Sequence, residues 1–429
     1  MPISRALVMT ATAVAATATT TQLGTGVRES TIRLMTRLAG EHGAVNLSQG
    51  FPNEAPPLVM RLALAHAVIS GQSPESVGSQ STDDLIKLIQ SSCQGTSGTR
   101  DELNQYSPPM GRPDSRQAVS DYYSRLYGYD WSSDDITLTL GATEAMATAL
   151  RTCCKPSDRY PSQCHIFSLQ PEYVTLREEN GEWHYDFEEL RRAVEGGAKA
   201  LILNTPHNPT GKVFCRDELE QIVHLCLENR CYIITDEIYE HMTYDRREHI
   251  LIPREFPLAR EWTLVCNSIG KSASATGWRL GWCLTPPRIT ASYRGVHDQL
   301  VCMAPHPMQF AGIHYFGLPD DFFRKLHTRY RERIERTSEA LIAAGFRVVK
   351  PQGAYYLFVH YRSVQQLREL DNMQAAMHML INVGVAVVPG NNFYGKCSEG
   401  GNYLRFAVCR SDEDIDLAIA RIKEKLTPC

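Results

Sequence analysis

Between residues 136 and 284 short apolar runs alternate with helical ones, and this alternation restricts the fold more than any other feature of the chain. Ile136-Thr137-Leu138-Thr139 precedes a helix starting near Ala142, and Ala200-Leu201-Ile202-Leu203 precedes a turn and a helix over 216–229. Residues 231–235, 263–267 and 280–284 read as further buried strands. Short runs without polar alternation suit strands covered on both faces, and strands separated by helices pair in parallel. The expectation is an α/β fold with a mostly parallel sheet between two layers of helices.

A second, smaller α+β domain follows. Residues 319–344 read as a long charged helix with Phe322, Phe323, Leu326, Tyr330, Ile334, Leu341 and Ile342 on one apolar stripe. Shorter strands are expected at 346–349, 355–359, 385–388 and 403–408. A chain of 429 residues has room for both domains. Upstream, residues 28–57 read as an arm and loop, and 58–69 as a helix. Residues 71–99 are rich in Ser, Gln and Gly, with apolar patterning only at Leu85-Ile86 and Leu88-Ile89. They read as an exposed insertion holding one or two helical turns. The first 23 residues, rich in Ala and Thr and without an acid before Glu29, read as a disordered tail or, alternatively, a mitochondrial transit peptide.

Composition excludes several partner classes. A net charge of −4 makes no electrostatic case for nucleic acid or an acidic membrane. No apolar run approaches the roughly 18 residues of a membrane span. The 13 cysteines are odd in number and scattered, with no C-x-x-C pair. A reducing, cytoplasmic setting fits them better than a disulfide framework, and no metal site is expected.

The residues with chemical potential lie at strand ends. Lys271 stands among Gly270, Ser272 and Ala273, small neighbours that let a flat ring approach. A lysine in such a run is either solvated or, where buried, an amine of lowered pKa able to act as a nucleophile. Asp236 ends the run Cys231-Tyr232-Ile233-Ile234-Thr235, where α/β folds bind ligands; it is a ligand to a ring nitrogen or a helix cap. Tyr239, three residues on, faces the same way on a helical turn. Asn208 sits in a turn set by Pro206, Pro209 and Gly211. Gly141-Ala142-Thr143 joins a strand to a helix N-terminus, a natural phosphate seat to which Ser268 and Arg279 can add donors. Arg405 lies within the apolar strand 403–408 and needs a carboxylate, from the protein or from a substrate.

In this order the motifs resemble the class I/II aminotransferases of pyridoxal-phosphate (PLP) fold type I. The branch indicated is that of kynurenine aminotransferases, glutamine transaminase K and methionine aminotransferases. The resemblance rests on Asn46-Leu47-Ser48-Gln49-Gly50-Phe51-Pro52, Asn104-Gln105-Tyr106 with Gly111, and Gly141-Ala142-Thr143-Glu144-Ala145. It continues in Asn204-Thr205-Pro206-His207-Asn208-Pro209-Thr210-Gly211, Gly270-Lys271 with Thr276-Gly277-Trp278-Arg279-Leu280-Gly281-Trp282, and Gly353-Ala354-Tyr355-Tyr356. It implies a large domain over 61–305 with a seven-stranded-type sheet, an arm over 26–60 packing with a small domain over 306–429, and pyridoxal 5'-phosphate as cofactor. Lys271 would be the Schiff-base lysine and Asp236 the pyridine-nitrogen partner. Tyr239 and Asn208 would hold the ring hydroxyl, and Ala142, Thr143, Ser268 and Arg279 the phosphate. Tyr106 would reach the phosphate in the neighbouring subunit of a homodimer, and Arg405, Asn208 and Gly50 would hold the substrate carboxylate. The implied activity is ping-pong transfer of an amino group from a large neutral, aromatic or sulfur-containing amino acid to a 2-oxo acid. Cysteine-S-conjugate β-elimination at the same site, or a catalytically impaired dimeric protein, are the alternatives.

One departure stands out. The resemblance calls for a strand and a P-x-Y-x-x-Y segment after the phosphate-binding helix, to supply a ring that stacks on the cofactor. Here Cys153 to Leu169 leaves no room for it, and Tyr160 is the only nearby ring read as a substitute. A parallel neighbour needs a crossover of roughly a dozen residues, so one strand of the sheet is expected to be missing. His297, Tyr355 and Phe393 are read as packing residues or as lining of the substrate pocket.

Overall fold

The computed structural model describes residues 5–9, 29–74, 78, 80–94, 101–154, 169–395 and 400–428. Its central sheet has seven strands in the order β3 (Ile136–Thr139), β10 (Gly281–Leu284), β9 (Thr263–Ser268), β8 (Tyr232–Asp236), β7 (Ala198–Asn204), β1 (Arg5–Met9) and β4 (Gln170–Tyr173). Only β10 runs antiparallel to its neighbours; the other pairings are parallel. Side chains of β7 alternate between two cores, as a pleated strand requires. Leu201 and Leu203 pack with Leu219, Ile222 and Cys226 of the helix Arg216–Glu228. Ala200 and Ile202 pack with Ala145, Ala149 and Leu150 of the helix Ala142–Cys153.

The sheet corrects the expectation of a missing strand. The 155–168 segment lies outside the described residues, and the position between β7 and β4 is filled from the far end of the chain. Arg5–Met9, expected to be part of a tail, runs parallel to both: Leu7 is opposite Leu201 on one side and Glu172 on the other. The physical reason is the ladder itself. Without β1, β7 and β4 would each present a row of unpaired N–H and C=O groups.

A second correction concerns the insertion. Thr82–Gln94 forms a helix of 13 residues, longer than the expected turn or two. Its Leu85 is fully buried with Ala63, Ala67 and Phe310, so it docks on the helix Leu58–Ser70 and on the helix His306–Phe316.

The small domain places the helix Asp320–Ala343 against a four-stranded sheet ordered β11 (Arg347–Val348), β12 (Tyr356–His360), β15 (Tyr403–Ala407) and β14 (Val388–Pro389). The arm is built into the same core. β2 (Val45–Asn46) pairs with β13 (Val385–Ala386), and Met35 and Ala39 of the helix Thr31–Glu41 pack with Tyr330, Ile334 and Phe406. The hairpin of β5 (Leu176–Glu179) and β6 (Glu182–Tyr185) inserts Trp183 beside Phe358 and Tyr403. No helix among the described residues is long and apolar enough to cross a membrane.

Candidate active site

Strand register brings the chemistry to one rim. Asn204 pairs with Asp236, and Asp236 with Cys266. Ser268 pairs with Gly281, which in turn faces Thr139. The carboxyl ends of β3, β7, β8 and β9 therefore lie side by side, where open α/β sheets bind ligands.

Lys271 follows β9 in a turn, and its Nζ donates to the carbonyl of Gly50. The amine is brought down to about 8, chiefly by burial with Arg405 and Arg279 adding to the fall, while Cys409 and Asp236 oppose it. Asp236 is the last residue of β8. Burial lifts its carboxyl to about 7, with the charge of Glu237 adding to the rise and an N–H bond from Ile238 and the charge of Lys271 opposing it. Its Oδ1 is buried without a hydrogen-bond partner. A buried carboxylate oxygen left unpaired is costly in a folded protein and marks a place where a ligand donor fits. A protonated pyridine nitrogen is such a donor.

Tyr239 is buried and shares a 2.8 Å hydrogen bond with the hydroxyl of Tyr356. Asn208 is fixed through its backbone N–H, which donates to Asn204 Oδ1 at 2.7 Å, while Asn204 Nδ2 donates to the carbonyl of Asp236 at 3.0 Å. Arg405, 2% exposed, donates to Asn208 Oδ1 at 3.1 Å and to the carbonyl of Ser48 at 2.6 Å. Its Nε is buried without a partner. The guanidinium lies 4.6 Å from the ring centroid of Tyr356 and 4.8 Å from that of Phe393. Among the described residues no carboxylate forms an ion pair with it; its acceptors are the Asn208 amide oxygen and the Ser48 carbonyl. Gly50 adds its carbonyl, shared between Lys271 and the Tyr355 hydroxyl at 3.0 Å. A side chain on Gly50 would collide with Tyr356.

The phosphate seat forms where the helix Ala142–Cys153 begins. Gly141 adopts φ +79°, and a Cβ there would meet Arg279 Nη2 at 2.7 Å. Arg279 itself, in the left-handed region at φ +53°, donates to the carbonyls of Thr276 at 3.1 Å and Leu140 at 3.4 Å. Both Thr143 and Arg279 are exposed beside buried Ala142. Ser268, at the end of β9, accepts from the N–H of Gly270 at 3.4 Å. A helix N-terminus, a guanidinium and two hydroxyls make an anion site. Together with the unpaired Asp236 oxygen and the lysine amine, the residues present fit pyridoxal phosphate.

Of the expected residues that are described, His297 lies away from the site. Tyr106, expected to reach a neighbouring subunit, is 81% exposed. His297 is buried behind the phosphate helix between Glu144 Oε1 at 3.0 Å and the carbonyl of Pro109 at 2.9 Å, so it packs and does not line the pocket. Tyr160 lies outside the described residues. Other residues of the site carry no local signal. Tyr356 was visible only as half of a Tyr-Tyr pair. Below Asp236, Glu240 accepts from Tyr122 at 2.8 Å, Tyr127 at 2.5 Å and Asn267 at 2.8 Å, and Asn267 Oδ1 accepts from the Ser268 N–H at 2.8 Å. That network joins residues more than 100 positions apart.

The sequence profile described as aminotransferase class I and II matches residues 71–422. The chain is 31% identical over 355 residues to a probable kynurenine–oxoglutarate transaminase, BNA3, of Saccharomyces cerevisiae, covering 75% of this chain and 80% of that one. It is 30% identical over 407 residues to a probable N-succinyldiaminopimelate aminotransferase, DapC, of Mycobacterium tuberculosis, covering 90% and 94%. Among solved structures, YbdL of Escherichia coli, described as having a methionine aminotransferase function, superposes with a TM-score of 0.80 at 25% identity, covering 95% of this chain and 100% of that one.

Proposed function

The chain belongs to the class I and II aminotransferases, and from that premise we propose that it is a PLP-dependent transaminase for large neutral, aromatic or sulfur-containing amino acids. Kynurenine, glutamine, methionine and phenylalanine define the donor class, with a 2-oxo acid as acceptor. The observation that carries the reading is the convergence of the Lys271 amine, the unpaired Asp236 oxygen and an Arg405 without a carboxylate on one rim. Arg279 is assigned to the phosphate and Arg410 to two backbone carbonyls, which leaves Arg405, its Nε without a partner, as the guanidinium for one substrate carboxylate and favours donors with uncharged side chains.

Pyridoxal phosphate, when bound, supplies the electron sink that lets an amino acid lose its Cα proton. Lys271, its amine pushed down to about 8 by burial, takes that proton as general base and returns it as general acid. Asp236 would keep the pyridine nitrogen protonated, and Tyr239 and Asn208 would hold the ring hydroxyl. Ala142, Thr143, Ser268 and Arg279 would seat the phosphate. Arg405, with the Asn208 amide and the Gly50 backbone N–H, would grip the α-carboxylate and so fix which bond at Cα is weakened. We further propose a two-fold homodimer in which Tyr106 completes the phosphate seat of the neighbouring subunit.

The test uses purified protein loaded with pyridoxal phosphate. The reading expects a visible absorbance band that falls when phenylalanine, methionine or kynurenine is added, with one equivalent of 2-oxo acid released. It expects many equivalents once an acceptor 2-oxo acid is supplied. Pyruvate and ammonia from a cysteine conjugate without any acceptor would instead identify β-elimination as the main activity. A spectrum indifferent to added pyridoxal phosphate would sink both. In Lys271→Arg, which keeps the cation but gives up the titratable amine, turnover should fall by about 10²–10⁴-fold.

A further inference from the structure

Every backbone carbonyl from residue 46 to residue 51 is bonded, and most of the donors come from residues 405–410. Arg410 Nε donates to Asn46 O at 2.8 Å, the N–H of Ala407 to Leu47 O at 2.9 Å, and Arg405 Nη2 to Ser48 O at 2.6 Å. The Cys409 thiol reaches Gln49 O at 3.5 Å. Tyr355 and Lys271 share Gly50 O, and Arg410 Nη1 returns to Phe51 O at 2.8 Å. One guanidinium thus staples both ends of the loop. Its plane also lies 4.9 Å from the ring centroid of Phe51, a ring that stays 39% exposed while Arg410 is only 6% exposed.

Arg410 is costly to bury. Among the described residues no carboxylate pairs with it, and its partners here are two neutral carbonyls. A buried guanidinium held this way serves geometry rather than charge balance. The two carbonyls inside the stapled loop that matter most are those of Ser48, bonded to Arg405, and Gly50, bonded to Lys271. Where the loop goes, the partners of both functional side chains go.

We propose that Arg410 is a positioning residue for substrate: it latches the 46–51 loop so that Arg405 and Lys271 are held in register and the Phe51 ring stands beside the site. The proposal rests on Arg405 and Lys271 facing the substrate. It acts on amino-acid binding rather than on the phosphate seat.

The test compares wild type with Arg410→Met, which keeps length and loses both donors, and Arg410→Lys, which keeps charge and loses the fork. Hydrogen exchange at the Leu47 and Ser48 amides should quicken by about tenfold or more in Arg410→Met, as expected when two charge-assisted bonds are lost. KM for the amino-acid donor should rise by about tenfold or more, with a smaller fall in kcat, because Tyr355 still holds the Gly50 carbonyl that Lys271 uses, and with cofactor affinity unchanged. Arg410→Lys should fall between. Unchanged loop exchange overturns the latch, and so does faster exchange with an unchanged KM. Failure of both variants to fold, or loss of the cofactor band in both, assigns Arg410 a plain structural role and also overturns it. A wild type that does not transaminate would sink the functional reading, and the latch would then be decided by loop exchange together with amino-acid binding measured by titration in place of KM.

Discussion

Asp236 and Lys271 are displaced in opposite directions by one cause, since burial disfavours the charged form of each. For Asp236 the sign of the stability effect follows directly. The folded protein holds its proton up to about 7, whereas an unfolded chain loses it at the ordinary carboxylate value near 3.9. Between those values the folded state binds more protons than the unfolded one, so this group contributes stability that is lost as pH rises. In the cofactor-free protein, Asp236→Asn should therefore gain stability relative to wild type between pH 4 and pH 8, read as a difference in urea midpoints. An equal midpoint difference at both pH values would refute the burial account. The same variant should lose turnover by about 10²-fold or more, because a neutral amide cannot keep the pyridine nitrogen protonated. Residues of this kind were legible in the sequence, since a lysine between small residues and an acid ending an apolar run each imply a local environment. Arg410 and Tyr356 were not. Their significance lies in carbonyls and hydroxyls more than 100 positions away, which no local pattern encodes.

Single elements show the same divide. The strands 136–139, 200–203, 231–235, 263–267 and 280–284 were legible because buried parallel strands are uninterrupted apolar runs between turns. β1 was not, although Ala6-Leu7-Val8-Met9 is itself such a run. Strand pairing is non-local, and nothing near residue 5 says that its partners lie at 170 and 198. The helix Thr82–Gln94 was underestimated because its serines and glutamines suit its exposed face, and only Leu85 betrays the buried one. The strand has a testable weight. Neighbouring strands stand about 4.8 Å apart, so β7 and β4 cannot pair directly across the space β1 fills. Deleting residues 1–10 removes bonds on both sides of the strand, each worth about 0.5–1.5 kcal/mol net. The urea midpoint should drop by an amount equivalent to several kcal/mol, and a peptide of residues 1–12 added in trans should restore part of it. An unchanged midpoint would remove β1 from the sheet.

At the scale of the whole molecule, the features left outside the core point outward. Tyr106 is 81% exposed, and Leu58, Val68, Ile69 and Leu300 are each between 45% and 53% exposed. The exposed Tyr106 ring is the one that the proposed homodimer would cover. The proposed homodimer makes a prediction that a monomer cannot imitate. At limiting cofactor, Tyr106→Ala should lose about tenfold or more in cofactor affinity, the effect of one hydrogen bond to a charged group, although the ring is exposed in its own chain. Lys271→Ala should be inactive for a different reason. If Tyr106 acts across the interface, mixing the two variants through unfolding and refolding creates hybrid dimers with one doubly damaged site. The other site then combines an intact Lys271 from one protomer with an intact Tyr106 from its partner. Random pairing makes half the dimers hybrids with one good site of two, so activity should return to about a quarter of wild type. If Tyr106 serves its own chain, every site in the mixture carries at least one defect and activity stays at what the Tyr106→Ala sites alone supply, however completely the subunits exchange.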